Sequence, residues 1–339
     1  MNAYKAFSDY DKLKEIIENE YGLYIDSITL INDWCASVYL LNTKSNKYIF
    51  KLYRSFDTAI AIQAVDIMNY LSKQSFPVAA IINTKNNRLT TVIPFGEDDR
   101  VGVLFNFIEG TMGYDLNFES YATEIGEMVG LLHLLMSEYD KPLIQYGKEH
   151  YIGRTIDIMK KYAYSLAKVA ELSEYGDKLW DIILASKSGF NHGDLNPSNY
   201  IKANDGKLYV FDFDCAGLSY PINDIFMICN STESMPRLNF ATLDNPKETL
   251  SLLRIGYEKY FYLNNYDIKA LYASFGLNCY WMVAQEYKYK SHLEGHGWLV
   301  QKYFDEIYNW LTQWESQYEF YFGKKDSMLY PHTINQHRW

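Results

Sequence analysis

The pattern of apolar and polar positions divides the chain into two parts with different periods. The first part opens with apolar residues at helical spacing over 8–21, and after Ile25 it changes to short runs that are typical of β-strands. A second helical stretch covers 58–72, and Pro77 prevents its continuation. The strand candidates are 27–31, 37–43, 47–54, 78–82, 89–95 and a last apolar run at 101–110. This order predicts a small α+β unit over residues 1–108.

After Gly110 the pattern becomes mostly helical. Helical spacing covers 121–139, 154–172, 175–187, 246–262 and 266–320. One non-helical segment, 190–225, interrupts these helices. No low-complexity linker separates the two parts. The sequence therefore predicts an α+β protein with two lobes, 1–108 and 109–339, joined by a short hinge near Phe105–Gly110.

Composition narrows the class of protein. With 48% hydrophobic and 22% charged residues, the 339-residue chain is typical of a folded globular protein. Its net charge of −10 argues against sequence-independent nucleic-acid binding, which requires a basic face. No stretch has the ~20 apolar residues of a membrane span, and the acidic N-terminus lacks the apolar core of a signal peptide. Four scattered cysteines indicate neither a disulfide framework nor a zinc site. We therefore expect a cytoplasmic protein with no nucleic-acid or membrane partner.

The non-helical segment 190–225 contains the candidate chemistry. His192 begins the run His-Gly-Asp-Leu-Asn-Pro-Ser-Asn, which places Asp194 and Asn199 in one tight loop. Asp212 follows thirteen residues after Asn199, at the end of an apolar strand candidate. A kinase catalytic loop has this form: an aspartate orients the acceptor hydroxyl, an asparagine five residues later binds Mg²⁺, and a later aspartate completes the metal site.

The spacing of these residues favours one shared site. A turn at 204–206 leads the chain into the strand that ends at Asp212, so the Asp212 carboxylate and the Asn199 amide oxygen can share one hard cation. Asp194 is then free to accept a proton. The alternative is that these residues only form turns and end a strand.

The segment resembles the aminoglycoside phosphotransferase and choline kinase family, which includes type II homoserine kinases and spore-coat kinase-like proteins. The family signature is H-G-D-x-H-x-x-N followed by an apolar strand ending in D-x-D, and the helix at 126–135 also matches. The resemblance implies a two-lobed, protein-kinase-like fold with an antiparallel sheet in the small N-lobe. It also implies transfer of the γ-phosphate of ATP, or of GTP, to the hydroxyl of a small molecule in the presence of Mg²⁺.

The resemblance assigns roles to individual residues. Asp194 corresponds to the catalytic base, and Asn199 and Asp212 correspond to the Mg²⁺ ligands. Lys51 lies where the family has its phosphate-binding lysine, although an ordinary edge-strand lysine is the alternative. The remaining assignments are His192 and Asp224 as structural supports of the loop, and the hinge backbone at Phe105 and Phe107 as the adenine contact.

Two departures from the family pattern keep a second function open. The helix glutamate expected to pair with Lys51 is replaced by Ala64, next to Gln63, which could hydrogen-bond Lys51 instead. The phosphate-covering turn at 32–37 contains no glycine, so its contacts with a nucleotide must differ. The alternative to an active enzyme is therefore a catalytically weak or inactive binding protein of the spore-coat type.

The acceptor pocket is expected from the helices after 225. Its acidic and aromatic candidates are Glu258, Glu286, Glu294, Tyr280, Trp281, Tyr287, Tyr289 and Trp298. Such groups suit a cationic amino-alcohol or an amino sugar such as an aminoglycoside, through charge pairing and cation–π contacts. An ordinary amphipathic surface is the alternative. The expected partner is thus a small-molecule hydroxyl acceptor, and the chain itself is expected to be a monomer or a homodimer.

Overall fold

The computed structural model describes residues 6–96, 98–230, 244–290 and 297–322. The first helix, α1 (Tyr10–Tyr21), begins where Asp9 accepts a hydrogen bond from the backbone of Lys12, and it ends at Gly22 in a left-handed conformation. Its apolar side packs on one face of the sheet of the N-terminal lobe.

The N-terminal sheet has five antiparallel strands in the order β1-β2-β3-β5-β4. The strands are β1 (Ser27–Asp33), β2 (Ser37–Asn42), β3 (Lys47–Leu52), β4 (Thr91–Phe95) and β5 (Asp98–Asn106). β3 is therefore the middle strand, and Phe50 and Leu52 face α1. Lys51 lies between them in sequence and points to the other face. An exposed edge-strand lysine is excluded, because Lys51 is only 8% exposed.

Helix α2 (Thr58–Lys73) connects the sheet to the helical lobe. Its buried residues belong to the same hydrophobic core as the helices that follow. The strand predicted at 78–82 is wrong: Val78 bridges to Val210 and Ile81 to Phe105, each as an isolated pair. This segment passes between two different partners, so neither provides the continuous ladder that a strand needs.

The second lobe is mostly helical, as the sequence predicts. Its helices are α3 (Phe118–Met136), α4 (Arg154–Lys161), α5 (Leu166–Leu184), α6 (Ile222–Asn230), α7 (Asp244–Tyr257), α8 (Asn265–Lys290) and α9 (Gly297–Phe322). The helices predicted over 154–172 and 175–187 divide at a different place: the chain turns at Ala163, whose φ is 52°, and α5 then continues without a break through 172–175. None of the helices in the described ranges is long and apolar enough to cross a membrane.

Short strands form the non-helical segment and position its loops. Five of them are β6 (Gly110–Met112), β7 (Gly189–Asn191), β8 (Tyr200–Ala203), β9 (Leu208–Val210) and β10 (Gly217–Ser219). β6, β8 and β9 form one sheet, and β7 pairs with β10. The loop after β7 and the segment after β9 thereby meet below the N-terminal sheet. The boundary between 108 and 109 falls in the connection from β5 to β6, and it stays a prediction.

Candidate active site

A buried carboxylate holds the loop that contains Asp194. Asp224, in the first turn of α6, is fully buried and accepts hydrogen bonds from the backbone N–H groups of His192 (2.6 Å) and Gly193 (2.9 Å). Gly193 has a φ of 82°, and a Cβ atom there would lie 2.2 Å from the carbonyl oxygen of Cys215. The loop therefore requires glycine at this position, and Asp224 fastens it to the helical lobe.

His133 is a supporting residue that sequence analysis did not assign to the site. It lies on α3, with Nε2 2.9 Å from Asp224 Oδ2 and Nδ1 3.1 Å from the hydroxyl of Tyr257. A buried carboxylate is costly unless its oxygens are hydrogen-bonded, so His133 completes the set of partners of Asp224. The sequence signal was a lone polar residue on an apolar helix, which fits any core histidine equally well.

His192 joins the same loop to the segment after β9. Its Nε2 lies 3.1 Å from the carbonyl oxygen of Phe211, and its ring packs on Phe213 with centroids 4.6 Å apart. Burial lowers the pKa of His192, which keeps the imidazole neutral. The structure thus places His192 between the two segments that carry the candidate chemistry.

Asp194 and Asn199 are hydrogen-bonded to each other. The side-chain amide of Asn199 donates to the carbonyl oxygen of Asp194 at 2.7 Å and to its Oδ2 at 3.1 Å. Asn196 Nδ2 donates to the other carboxylate oxygen at 2.8 Å. Burial, and then the charge of Asp212, raises the pKa of Asp194 to about 7. A carboxylate in this range is suited to accept a proton from a reacting hydroxyl near neutral pH.

Lys51 reaches from the N-terminal sheet to two carboxylates of the helical lobe. Its Nζ lies 2.7 Å from Asp212 Oδ1 and 2.6 Å from Asp214 Oδ2. The hydroxyl of Tyr53 donates to the other oxygen of Asp214 at 3.0 Å. Burial lowers the pKa of Lys51, but the two carboxylates outweigh it and hold the pKa well above its usual value. The lysine is therefore charged and joins the lobes at the site.

The backbone at Asp212 explains why both aspartates face Lys51. Asp212 has a φ of 66°, a left-handed conformation that is uncommon for a residue with a side chain. The strand stops at Val210 and the chain turns, and the carboxylates of both Asp212 and Asp214 then meet the ammonium of Lys51. Burial raises the pKa of both carboxyls, but Lys51 lowers that of Asp212 overall, whereas the pKa of Asp214 is raised to about 6.

Gln63 joins the two lobes and does not contact Lys51. Its side-chain nitrogen donates to the carbonyl oxygen of Ala216 at 2.7 Å, and its oxygen accepts from the backbone N–H of Ile144 at 2.6 Å. The suggested hydrogen bond from Gln63 to Lys51 is therefore wrong. Ala64 is buried in the core, and Asp212 and Asp214 provide the ion pairs that a helix glutamate would have provided.

Replacing Gln63 with alanine is expected to lower the free energy of unfolding by about 1.5 kcal/mol. The reason is that two backbone groups of the helical lobe lose their partner, and unpaired buried polar groups cost ~1–3 kcal/mol. Urea unfolding of Gln63→Ala beside Gln74→Ala measures this, since Gln74 lies exposed at the end of the same helix. Equal unfolding midpoints for the two variants would contradict the interlobe role.

A buried arginine fastens the glycine-free turn between β1 and β2. Arg54 Nη2 donates to Asp33 Oδ1 at 2.8 Å and to the carbonyl oxygen of Trp34 at 3.2 Å, and Nη1 donates to the hydroxyl of Ser37 at 3.3 Å. The pKa of Cys35 in this turn is raised to about 12, by burial and then by the charges of Asp212 and Asp214. The turn is therefore held by a side chain instead of by glycine flexibility, and Cys35 lies close enough to Asp212 and Asp214 for their charges to raise its pKa.

The predicted hinge residues lie at the end of β5 and just after it. Phe105 pairs with Ile49 of β3, and the N–H of Phe107 donates to the carbonyl oxygen of Lys47 at 3.3 Å. The ring of Phe107 lies under the Lys47 ammonium, 5.3 Å from it. Neither contact tests the predicted adenine interaction, which stays a prediction.

The residues expected to form an acidic acceptor pocket contact different parts of the helical lobe. Glu258 accepts from Arg254 and from the backbone of Leu263, and Tyr280 is buried with its hydroxyl on the carbonyl oxygen of Leu172. Tyr287 contacts Lys161. Glu294 and the side chain of Trp298 lie outside the described residues.

Two of the aromatic candidates lie near the interlobe contacts. Trp281 Nε1 donates to His150 Nε2 at 3.1 Å, and the hydroxyl of Tyr289 donates to Asp57 Oδ2 at 3.2 Å. Lys288 also binds Asp57, at 2.6 Å, so the end of α8 meets the start of α2. This part of the cleft is therefore lined by basic and aromatic groups such as Lys288 and Tyr289. Glu258 is not among them.

The oxygen donors in the cleft fit a hard divalent cation. No described group donates to Asn199 Oδ1, and its nitrogen is already used by Asp194, so the amide oxygen is left as a ligand. Asp212 and Asp214 add carboxylate oxygens around one positive charge, that of Lys51. Within the described ranges no group of three or more His, Cys, Asp and Glu forms a self-sufficient metal cluster. This donor set is suited to Mg²⁺, which usually takes one or two carboxylates plus substrate phosphates and water.

The family of the chain follows from its sequence. The model of the APH family, the phosphotransferase enzyme family, matches residues 27–246, which is more than half of the chain. The chain belongs to this phosphotransferase family, and the resemblance described above is confirmed. No curated protein sequence matches it.

Solved structures show the same fold. The amicoumacin kinase hAmiN, in complex with AMP-PNP, Ca2+ and Ami, is similar with a TM-score of 0.71 and 17% identity, covering 89% of this chain and 94% of that one. A microcompartment-associated aminopropanol kinase gives 0.71 and 16%, covering 91% and 98%. Choline kinase from Cryptosporidium parvum Iowa II gives 0.61 and 16%, covering 93% and 97%. The predicted two-lobed, protein-kinase-like fold is confirmed.

Proposed function

We propose that this protein is an ATP-dependent phosphotransferase that moves the γ-phosphate to a hydroxyl of a small molecule, with GTP as an alternative donor. One observation carries the proposal: Lys51 of one lobe is ion-paired to Asp212 of the other, beside the half-buried Asp194 whose pKa is raised to about 7. A charged lysine, metal-ligand oxygens and a proton acceptor are then present together in one cleft.

Each residue has a separate task in the proposed reaction. Asp194 orients the acceptor hydroxyl and takes its proton as the oxygen attacks the γ-phosphorus, and the bond to the β–γ bridging oxygen breaks to release the nucleoside diphosphate. Asn199 and Asp212 would hold Mg²⁺, which supplies neutralisation of the charge on the β- and γ-phosphates. When nucleotide binds, the ammonium of Lys51 exchanges its contacts with Asp212 and Asp214 for contacts with phosphate oxygens. His192 and Asp224 keep the loop in place.

We propose a cationic amino-alcohol or an amino sugar such as an aminoglycoside as the acceptor. Two of the structurally similar proteins are named for kinases of aminopropanol and choline, which both combine a hydroxyl with a cationic nitrogen. The ring of Tyr289 already has an ammonium over it, that of Lys288 at 4.8 Å from the ring centroid, so an aromatic face next to the cleft accommodates a cation. The net charge of −10 attracts cations over longer range.

The second candidate function is a kinase-like binding protein with weak or no turnover. It is favoured by Ala64 in place of the helix glutamate and by the turn at 32–37 that lacks glycine. The two functions differ in their response to metal. A site that has lost its metal function binds nucleotide with the same affinity whether or not Mg²⁺ is present.

Thermal unfolding with ATP or GTP, each with and without Mg²⁺, tests the proposal. A ligand present at ~100 times its Kd stabilises the folded state by about 2.7 kcal/mol, which gives a clear rise in Tm. We expect a Mg²⁺-dependent rise for the wild type that Asp212→Ala loses. Asp181→Ala is the matched control, since Asp181 is exposed on α5. A nucleotide-induced rise in Tm that is the same with and without Mg²⁺, and that Asp212→Ala retains, would support the binding protein instead.

A further inference from the structure

A second cavity lies behind the loop of Asp194, on the far side of β7. Its volume is about 330 Å³, within the range of small-molecule sites. The walls come from β7, β10, the end of α3, and the connection between α7 and α8. None of Lys51, Asp194, Asn199, Asp212 and Asp214 lines it.

The walls of the cavity are mainly aromatic and aliphatic. Its apolar lining includes Phe190, Leu218, Tyr257, Phe261 and Tyr262. Leu218 is 36% exposed and Tyr262 74% exposed, so both lie at the opening. Apolar surface of this kind, accessible from solvent, favours the burial of an aromatic or branched ligand.

Most polar groups in the lining already have partners. Asp267 accepts from the backbone N–H groups of Lys187 (3.4 Å) and Asn264 (3.0 Å), and Lys141 is ion-paired to Asp66 at 3.0 Å. The hydroxyl of Ser137 donates to the carbonyl oxygen of Leu134. These groups hold the shape of the cavity.

Lys187 is the charged group of this lining that has neither an ion-pair nor a hydrogen-bond partner among the described residues. Its ammonium lies 4.7 Å from the centroid of the Phe261 ring, and no carboxylate of the described residues lies within ion-pair distance of it. Lys187 is exposed at the opening, so its ammonium is accessible to an anion that enters the cavity. The cavity therefore combines apolar walls with one ammonium that has no ion-pair partner among the described residues.

We propose that this cavity is a second ligand site, for a small amphipathic anion that has an aromatic or branched apolar body and a single carboxylate or sulfonate group. The body packs among the aromatic walls, and the anionic group meets the ammonium of Lys187. This site is separate from the phosphotransfer cleft, and its occupancy does not depend on the proposed activity.

The cavity also touches the groups that hold the loop of Asp194. His133 and Tyr257 both line it, and they are hydrogen-bonded to each other. His133 binds Asp224, which in turn accepts the N–H groups of His192 and Gly193. A ligand against His133 and Tyr257 thus contacts the first member of a hydrogen-bonded chain that ends at the loop. We therefore expect a ligand bound here to change the hydrogen-exchange rates of the backbone amides of His192 and Gly193.

Calorimetric titration of the full chain with two matched probes tests the binding. Naphthalene-1-sulfonate carries the anionic group, and 1-naphthalenemethanol has the same rings without charge. We expect saturable 1:1 binding of both, with the sulfonate tighter. Lys187→Gln is expected to weaken the sulfonate about fivefold and to leave the alcohol within twofold. Lys207→Gln, at an exposed lysine after the turn at 204–206, is expected to change neither.

A blocking variant separates this cavity from other surfaces. Leu218→Trp places a large ring at the opening, and we expect it to abolish binding of both probes while the circular dichroism spectrum and Tm stay near wild type. Should it perturb folding, Tyr262→Ala, at the 74% exposed ring, is expected to weaken both probes at least threefold. Absence of saturable binding, an unchanged sulfonate-to-alcohol ratio in Lys187→Gln, or wild-type binding by the blocked variants would overturn the site.

Hydrogen exchange tests the link to the loop. With saturating naphthalene-1-sulfonate we expect deuterium uptake of the peptide that contains His192 and Gly193 to change at least twofold in rate in the wild type, and not in Leu218→Trp. The peptide containing α1 is the internal control, since α1 packs on the distant sheet face. Binding without any change at His192 and Gly193 would overturn the link.

Discussion

Replacing Asp194 with asparagine is expected to lower kcat for phosphate transfer by about 10²–10⁴-fold, the usual contribution of a positioned general base. The asparagine has nearly the same shape but cannot take the proton of the acceptor hydroxyl. Nucleotide affinity should change less than threefold, because Lys51, Asn199 and Asp212 remain in place. Steady-state kinetics together with a direct nucleotide titration separate these two effects.

Two controls make the Asp194 result specific. Asp181→Asn makes the same chemical change at an exposed position and is expected to leave kcat unaltered. The urea midpoint of Asp194→Asn should lie close to that of the wild type, although Asn196 and Asn199 lose a charged acceptor. A folded Asp194→Asn protein with normal kcat would refute the assignment of Asp194 as the base.

Replacing Lys51 with methionine is expected to lower the free energy of unfolding by about 2 kcal/mol and to weaken nucleotide binding at least tenfold. Removing one partner of a buried ion pair costs ~3–5 kcal/mol, and the value is smaller here because the Asp212 side chain is 40% exposed. Two carboxylates are then left facing each other without a cation. Urea unfolding and nucleotide titration measure the two losses.

The same variant provides a test of the metal ligands. Since Asp212 and Asp214 lose their neutralising charge, Mg²⁺ alone should raise the Tm of Lys51→Met more than that of the wild type. Lys47→Met is the matched control: Lys47 lies on the same strand, and its pair with Glu109 is exposed on both sides. Equal stability losses at Lys47 and Lys51, or no extra Mg²⁺ response, would contradict the roles given to this cluster.

The spacing of apolar residues predicted those helices and strands that bury one face along their whole length. The strands around Lys51 and the long helices of the second lobe were predicted because each buries one regular face. The strand expected at 78–82 failed for a physical reason: its apolar residues are buried, but its backbone has a different partner at each end. The break at Ala163 was missed because the apolar spacing continues across it.

The part of the candidate site that was predictable is the part formed by residues close together in sequence. The loop from His192 to Asn199 forms its own hydrogen bonds, so spacing alone places Asp194 beside Asn199. The partners of Lys51 were not predictable, because Asp212 lies 161 residues away and meets it only through the packing of two lobes. The same applies to Gln63, whose polar partner Ala216 is 153 residues distant. Side chains that connect lobes depend on the complete fold.

The hydrogen bonds from Arg54 to the turn at 32–37 affect the rate at which a nucleotide would bind and dissociate. Arg54 is only 2% exposed and binds three residues of the turn, so the backbone above the carboxylates is already ordered before a nucleotide arrives. Binding then loses little conformational entropy in this turn. In the proposed reaction the same contacts would resist opening of the turn as a flap, so release of the spent nucleotide would depend mainly on separation of the two lobes. Product release would accordingly slow in viscous solvent, and mutations at the interlobe contacts would set the residence time of the nucleotide.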